Sequence, residues 1–587
     1  MPLKISIPKC LLTLLLILPN PISWAIAPMQ IKVKMTGISE VLQEEVKSDL
    51  SLYYLRGDPV ISPSLMDVYI DRAEEEIALA LQPYGYYNPI IHSHKKFENN
   101  NWQIVFNIQQ GSPVVIKNIH IQLLGQGKNN AELNKKVQAF PLKIGDVFSH
   151  ETYELGKKNI LGNAVLLGFL SAEFTEHRVE VDVDSQQAQI YLQLDTNAMY
   201  YFGQTRFSDS QLNNSLLNRY ITYDIDDSFS AKKLVLLEDR LRKSDYFKQV
   251  NIQSLPDHEQ FRVPVLVELE DNKPNHYILG IGYGTDTGAR GKAGYLRRRV
   301  NSSGHKFQTE VQLSQIFQKI EADYIIPGKR PYSDKITLHT EYIEDEYSDK
   351  PVDSFELGIS EKRDIYGWER TLDLTFLKEQ SVSFSTNTKR KDKLLIPMLE
   401  VKKSIRDDPN NPKNGTTRIF KVKGSVENIG SDISFAQIYY QHRWLHTFEN
   451  DIKSLFRIEL GATTPQTEDK VPLSQRFFAG GDTSIRGFAY RSLPAEIDKD
   501  DVRQPVGGSY LFISSLEFSK PIKAPLGGHV FVDTGNAFRS SRDNLQVGVG
   551  VGLNYDTRFG PIKFSVAKPL TNAANSWRIH ATFGPEV

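Results

Sequence analysis

The sequence predicts three small α+β modules followed by a sixteen-stranded antiparallel transmembrane β-barrel. Three observations carry that reading. A unit of roughly 80 residues recurs three times in the N-terminal half. From Asn275 onward the helical period gives way to amphipathic strands of about ten residues. Beyond an N-terminal apolar run, no stretch of about eighteen apolar residues remains to form a spanning helix.

Taken in order, the first residues read as a secretory signal. Lys4 and Lys9 precede the apolar run from Leu11 to Leu18, and the small residues Ala25 and Ala27 follow. Cleavage is expected after Ala25, with Ser23 at the minus-three position, in preference to Ala27, where Pro28 would adjoin the cut. The single cysteine, Cys10, lies within this segment, so the mature chain is expected to hold no thiol and no disulfide. About 560 mature residues exceed one core and imply several domains.

The repeat is marked by an apolar residue and a serine, Ile61-Ser62, Phe148-Ser149 and Phe229-Ser230, each read as a staple and N-cap opening a helix. Related strings close those helices: Gly85-Tyr-Tyr-Asn-Pro89, Gly168-Phe-Leu-Ser-Ala172 and Asp245-Tyr-Phe-Lys-Gln249. Two alternating strands follow each, the second spanning Trp102 to Ile108, Gln189 to Leu194 and Arg262 to Glu270. A first strand opens each unit at Gln30 to Met35, Val114 to Gln122 and Gly203 to Phe207. The expected boundaries are a signal at 1–25 (or to 27), modules at 28–112, 113–198 and 199–274, and a barrel at 275–587.

In the first barrel strand Tyr277, Leu279, Ile281 and Tyr283 share one face, which would meet lipid, while Gly280, Gly282 and Gly284 share the other. Eleven strand candidates precede a glycine-rich loop and five follow it, the five being Tyr510 to Phe518, His529 to Asp533, Gln546 to Tyr555, Lys563 to Lys568 and Trp577 to Phe583. The last presents Trp577, Ile579, Ala581 and Phe583 on one face. Arg297, Arg298 and Arg299 are read as consecutive in the second strand. Alternation would then aim at least one outward, at about 2 to 4 kcal/mol in mid-bilayer and almost none among headgroups, so this end is expected at the interface.

The loop is Arg476-Phe-Phe-Ala-Gly-Gly-Asp-Thr-Ser-Ile-Arg-Gly-Phe488, and its tip places a permanent cation among small and apolar residues. Downstream lies Phe531-Val-Asp-Thr-Gly535, where Val530 and Val532 share one face and Phe531 and Asp533 the other. Both motifs resemble those of the BamA/TamA superfamily of outer-membrane assembly barrels. That resemblance implies that the tip Ile485, Arg486, Gly487, Phe488 enters the barrel and pairs with the strand motif Phe531, Asp533, Gly535. It extends to the β-α-α-β-β modules, which resemble polypeptide-transport-associated (POTRA) domains, and to Asp556-Thr-Arg-Phe-Gly-Pro561, Ala567-Lys-Pro-Leu570 and the Phe583-Gly-Pro-Glu-Val587 ending.

Three units and that ending are most similar to the TamA-like branch, since BamA relatives typically carry five units and two-partner secretion transporters two with a plug helix. The resemblance implies an outer-membrane protein with a periplasmic arm, β-barrel clients such as autotransporters, the lipid bilayer as surroundings, and a TamB-like inner-membrane-anchored partner. It leaves open phospholipid movement between the membranes. Alternate glycines weaken packing in the first strand while the last carries an aromatic-ended stripe, so a lateral seam is expected between Tyr277, Leu279, Ile281, Tyr283 of the first strand and Trp577, Ile579, Phe583 of the last. The competing class is a two-partner secretion transporter that passes one exoprotein through its lumen.

A net charge of −1 excludes the basic excess that nucleic-acid binding requires. No G-x-S-x-G, H-E-x-x-H, Walker or paired-cysteine pattern occurs, so the chain reads as no enzyme, with no cofactor and no metal. Glu180, Asp182 and Asp184 read as a solvated strand face. His442 and His446, about 13 Å apart on one strand, are too distant to share a metal and read as lumen or interface residues.

Overall fold

The computed structural model describes residues 30–55, 61–98, 101–284, 288–315, 317–347, 350–382, 388–409, 411–465, 470–497, 503–540, 543–558, 560–571 and 577–583. The expected signal segment lies outside them. A first compact unit contains the first two modules, and a second contains most of the third module together with the barrel.

Each module is a three-stranded sheet in which the strand last in sequence is central. In the first, Asn101–Gln109 runs parallel to Gln30–Thr36 and antiparallel to Ile90–Glu98. Alternation buries Trp102, Ile104, Phe106 and Ile108 against the Met66, Ile70, Ala73 and Ile77 stripe of the helix Pro63–Leu81. The second repeats the arrangement, with Ala188, Ile190, Leu192 and Leu194 of Gln187–Asp195 packed on the helix His150–Leu166. There Gly156 is imposed by contact, since a Cβ would lie 2.4 Å from the Phe140 ring.

Two of the three repeated serines act as side-chain caps. Ser62 Oγ accepts the Leu65 N–H and Ser149 Oγ the Thr152 N–H, while Ser230 immediately precedes the helix Ala231–Lys243. The residues before them, Ile61, Phe148 and Phe229, are buried. The strings that close the helices share one backbone feature, a left-handed first residue: Gly85 at φ 89°, Gly168 at 104° and Asp245 at 64°.

From Asn275–Gly284 to Arg578–Phe583, sixteen strands form one sheet in sequence order, each antiparallel to the next. Eleven precede the connection that contains Arg486 and five follow it. Exposed apolar side chains alternate with buried polar ones, as with Val530 and Val532 against His529 and Asp533, so the lumen is the polar side and the outward face is apolar.

The three consecutive arginines depart from the expectation. The second strand ends at Arg297, and Arg298 and Arg299 turn out of it and are buried. Arg298 donates through Nε to Asp245 Oδ2 at 2.6 Å and through Nη1 to the Lys273 carbonyl at 3.1 Å. Arg299 donates to Gln211 Oε1 at 3.1 Å and lies 3.3 Å from the Asp271 carboxylate. Instead of meeting headgroups, this pair clamps the third module to the barrel base. Arg240 stacks on the Tyr332 ring at 3.6 Å, and Arg219 donates to the Gly328 carbonyl at 2.8 Å. Burial among these groups raises the Tyr246 phenol above its usual range.

Arg298→Ala leaves the buried side of this clamp without its donor and should free the third module locally. Amide exchange around Asp245, Tyr246 and residues 300–305 should accelerate at least about tenfold in the full-length protein, with exchange in the first two modules unchanged.

Candidate functional site

The connection between the strands Lys453–Thr464 and Tyr510–Lys523 folds into the lumen. Its apolar residues Ala479, Ile485, Phe488 and Leu493 pack on Leu511, Ile513 and Ala537 of the wall. Polar anchors fix its flanks: the Glu379 carboxylate accepts the Leu473 and Ser474 N–H groups, and Gln437 donates to the Gln475 carbonyl at 2.8 Å. Gly480, Gly481 and Gly487 adopt positive φ, which permits the tight turns around the tip.

At the tip Arg486 is buried and fully engaged. Its Nε and Nη2 bind the two oxygens of Asp533 at 2.8 and 3.0 Å, and its own backbone N–H donates to Asp533 Oδ2 at 3.0 Å. The guanidinium also stacks on the Phe531 ring at 3.3 Å. A second carboxylate completes the site, because Nη1 donates to Glu517 Oε2 at 2.6 Å. Glu517 in turn pairs with Lys563, and Ser515 Oγ donates to Asp533 Oδ1 at 2.6 Å. Two cations and two carboxylates thus neutralise one another, where the sequence motifs imply a single pair.

The tip is also tied to the last strand. His580 Nε2 accepts the Gly487 N–H at 2.9 Å, and Nδ1 lies 2.5 Å from Asp482 Oδ1. Since Nε2 must be an acceptor, the network assigns the proton to Nδ1, which donates to the carboxylate. Arg457 grips the same loop through the Thr483 and Ser484 carbonyls. Gly535, at φ 150°, passes so close to the Phe512 carbonyl that a Cβ would stand 2.1 Å away.

The seam residues lie at the two free edges of the sheet. Tyr277, Leu279 and Ile281 are 70%, 86% and 97% exposed, and Trp577, Ile579 and Phe583 are similarly open. The Tyr283 side chain lies outside the described residues. No ladder joins the first strand to the last among the described residues. The last strand begins at Arg578, one residue later than expected, so Trp577 precedes it.

Residues 301–585 match the Omp85 superfamily domain. Over those residues the barrel is similar to an Omp85 domain. Residues 32–110 match the first POTRA domain of TamA, and together the two matches support placement in the BamA/TamA superfamily. The chain is 22% identical over 576 residues to the outer membrane protein assembly factor BamA of Nitratidesulfovibrio vulgaris, covering 92% of this chain and 70% of that protein. Its fold resembles the crystal structure of BamA from Haemophilus ducreyi lacking POTRA domains 1–3, with a TM-score of 0.63 at 17% identity over 80% of this chain and 98% of that one. CdiB from Escherichia coli aligns at a TM-score of 0.45 and 12% identity, over 80% and 91% of the two chains.

Within the barrel, Glu517, Lys563, His580 and Arg457 escape the motifs. Each carries one weak signal, a polar side chain at lumen-facing parity in an otherwise apolar strand, which gives the face but not the partner.

Because Asp533 accepts four hydrogen bonds and Glu517 two, Asp533→Asn should cost about 3 to 5 kcal/mol in urea unfolding from micelles, more than Glu517→Gln. Combining Arg486→Gln with Asp533→Asn should recover part of that loss, since Lys563 and Glu517 remain paired. Reversing the charges should not, because a carboxylate at position 486 would face Glu517.

Gly548 on the neighbouring strand admits the loop, as a Cβ there would lie 1.9 Å from the Arg486 carbonyl oxygen. Gly548→Ala should displace the tip and raise single-channel conductance in planar bilayers, while strand content by circular dichroism stays unchanged.

Proposed function

We propose that this protein is an outer-membrane assembly factor of TamA type, which helps insert or secrete β-barrel clients such as autotransporters. The carrying observation is the unpaired seam. The first strand offers ten backbone positions to its inner neighbour and the last strand six, with both outer edges open among the described residues. A Cβ at Gly280 would meet nothing nearer than 3.8 Å, so that glycine is not imposed by packing, and it leaves the edge weakly zippered.

An open edge presents a row of N–H and C=O groups, each worth about 0.5 to 1.5 kcal/mol net once paired. A client strand completes them by β-augmentation. The loop tip holds the last strand in place through His580 while the edge is free, so the seam can exchange partners without unravelling the wall. The energy comes from client folding.

The TamA-type reading is supported by the match of residues 32–110 and by the three α/β sheets ahead of the barrel. The arm would then reach through the periplasm to a TamB-like partner anchored in the inner membrane, and affinity capture from membranes should recover one long protein of that kind.

The deciding experiment is a crosslinked seam. Cysteines at Leu279 and Ile579, in a mature chain expected to hold no other thiol, can be joined by a disulfide or, where their spacing exceeds it, by a short bifunctional linker. The locked barrel should remain folded and inserted yet lose client assembly, and reduction of the disulfide form should restore it. Full activity in the quantitatively locked protein would eliminate the lateral route in favour of passage through the lumen.

A further inference from the structure

The outward face of the barrel carries a cluster of cations that the loop-tip network does not use. Asp533, Ser515, Arg457 and Arg443 form one lumen-facing row by register. The even-numbered residues of Phe435–Thr447 therefore point outward. In register with them, His442 lies opposite Arg418 and Arg418 opposite Lys403, on the strands Gly415–Ser425 and Lys389–Arg406. Exposed Ile405, Phe420, Val422, Ile438 and Trp444 confirm that this is the apolar outer surface. Strand direction alternates from Asn275, so Arg406 and Gly415 lie at the end of the barrel from which the third module projects.

Two cations directly opposite each other repel. Arg418 makes no hydrogen bond or ion pair among the described residues, and Lys403 only sits over the Trp368 ring at 5.1 Å. Among the described residues of these three strands, no carboxylate takes an outward position. Asp407 of the turn is already occupied, accepting the backbone N–H groups of Lys413 and Asn414 at 2.9 Å. His442 Nε2 meets Thr416 Oγ1 at 3.0 Å, leaving its ring beside Arg418. A groove of about 650 Å³ opens here, lined by Arg406, the backbone-bonded Asp407, Thr416, Arg418, His442 and Trp444. Its volume is within the range of about 300 to 1,000 Å³ usual for ligand sites.

We propose that this groove binds the anionic phosphodiester of a glycerophospholipid in the leaflet at the module end of the barrel. Arg418 and Lys403 contact the phosphate oxygens, which take the place that no outward strand carboxylate fills. Trp444 and Trp368 sit at headgroup height, where indoles concentrate, and the acyl chains run over Phe420, Val422 and Ile438. The arrangement makes cations on a lipid-facing wall favourable, since they lie at the interface and carry a counter-ion. This inference rests on the membrane placement of the barrel.

The test uses the full-length protein in detergent micelles, titrated with phosphatidylglycerol and followed by native mass spectrometry, with phosphatidylethanolamine, glycerol 3-phosphate and inorganic phosphate as comparators. At about 1 kcal/mol per cation, Lys403→Gln with Arg418→Gln should weaken phosphatidylglycerol binding about 25-fold. Arg418→Lys should retain most of it, and Lys520→Gln with Lys523→Gln, elsewhere on the same rim, should change it less than about twofold. Heat-modifiable gel migration shows whether each variant is folded. Equal lipid occupancy in wild type and the folded double variant overturns the proposal, as does full competition by the soluble phosphates at equal concentration. Failure of the wild-type protein to insert into liposomes would instead overturn the membrane reading on which it rests.

Discussion

A guanidinium enclosed in the barrel interior must be neutralised in all the directions in which it donates, and the wall around Arg486 is arranged by that need. Asp533 takes two edges of the side chain and the backbone N–H, Glu517 takes a third donor, and Phe531 covers the face. Lys563 balances the second carboxylate. The constellation draws on three wall strands and the loop at once, so the loop cannot shift without uncovering charge. Such a network adds little net stability over an apolar core of equal volume, but breaking one partner is costly. It therefore fixes where the loop sits more than it strengthens the barrel.

Backbone approach adds a second restraint. The Arg486 carbonyl occupies space that any side chain at position 548 would fill, and Gly487 stands within 3.1 Å of the Lys568 backbone at its hypothetical Cβ. Charge orients the tip, and missing side chains admit it. His580 extends both effects to the last strand, which has few ladder partners of its own and would otherwise depend on its contact with Gly560–Pro569 alone. Rigidity is thus concentrated beside the edge that has no ladder partner among the described residues.

At the module end, polar chemistry serves attachment. Arg298 and Arg299 leave the second strand to reach Asp245, Gln211 and Asp271, while Tyr246 and Tyr220 are buried at the base. The third module consequently behaves with the barrel, not as a free bead on a string. Further round the same rim, Lys403 and Arg418 have no carboxylate partner among the described residues and remain outward.

Much of this was legible in the chain itself. Period-two alternation separated lumen from lipid in the strands, the Ile61-Ser62 type of cap located the module helices, and the loop and strand motifs pointed Arg486 toward Asp533. Sixteen strands could be counted because each turn interrupts the alternation. Glu517, Lys563, His580 and the Arg298 clamp could not be read in this way. Alternation assigns a residue to a face but says nothing of which residue on the next strand stands beside it. That depends on register, which is set by hydrogen bonding around the whole sheet, and on the entry of the loop, whose place is decided by partners far away in sequence. The arginine triplet shows the same limit, since only the third module's carboxylates and carbonyls, brought to the barrel base by folding, make it favourable to leave the strand. The sequence determined the elements and their faces, and the tertiary structure decided which charges meet.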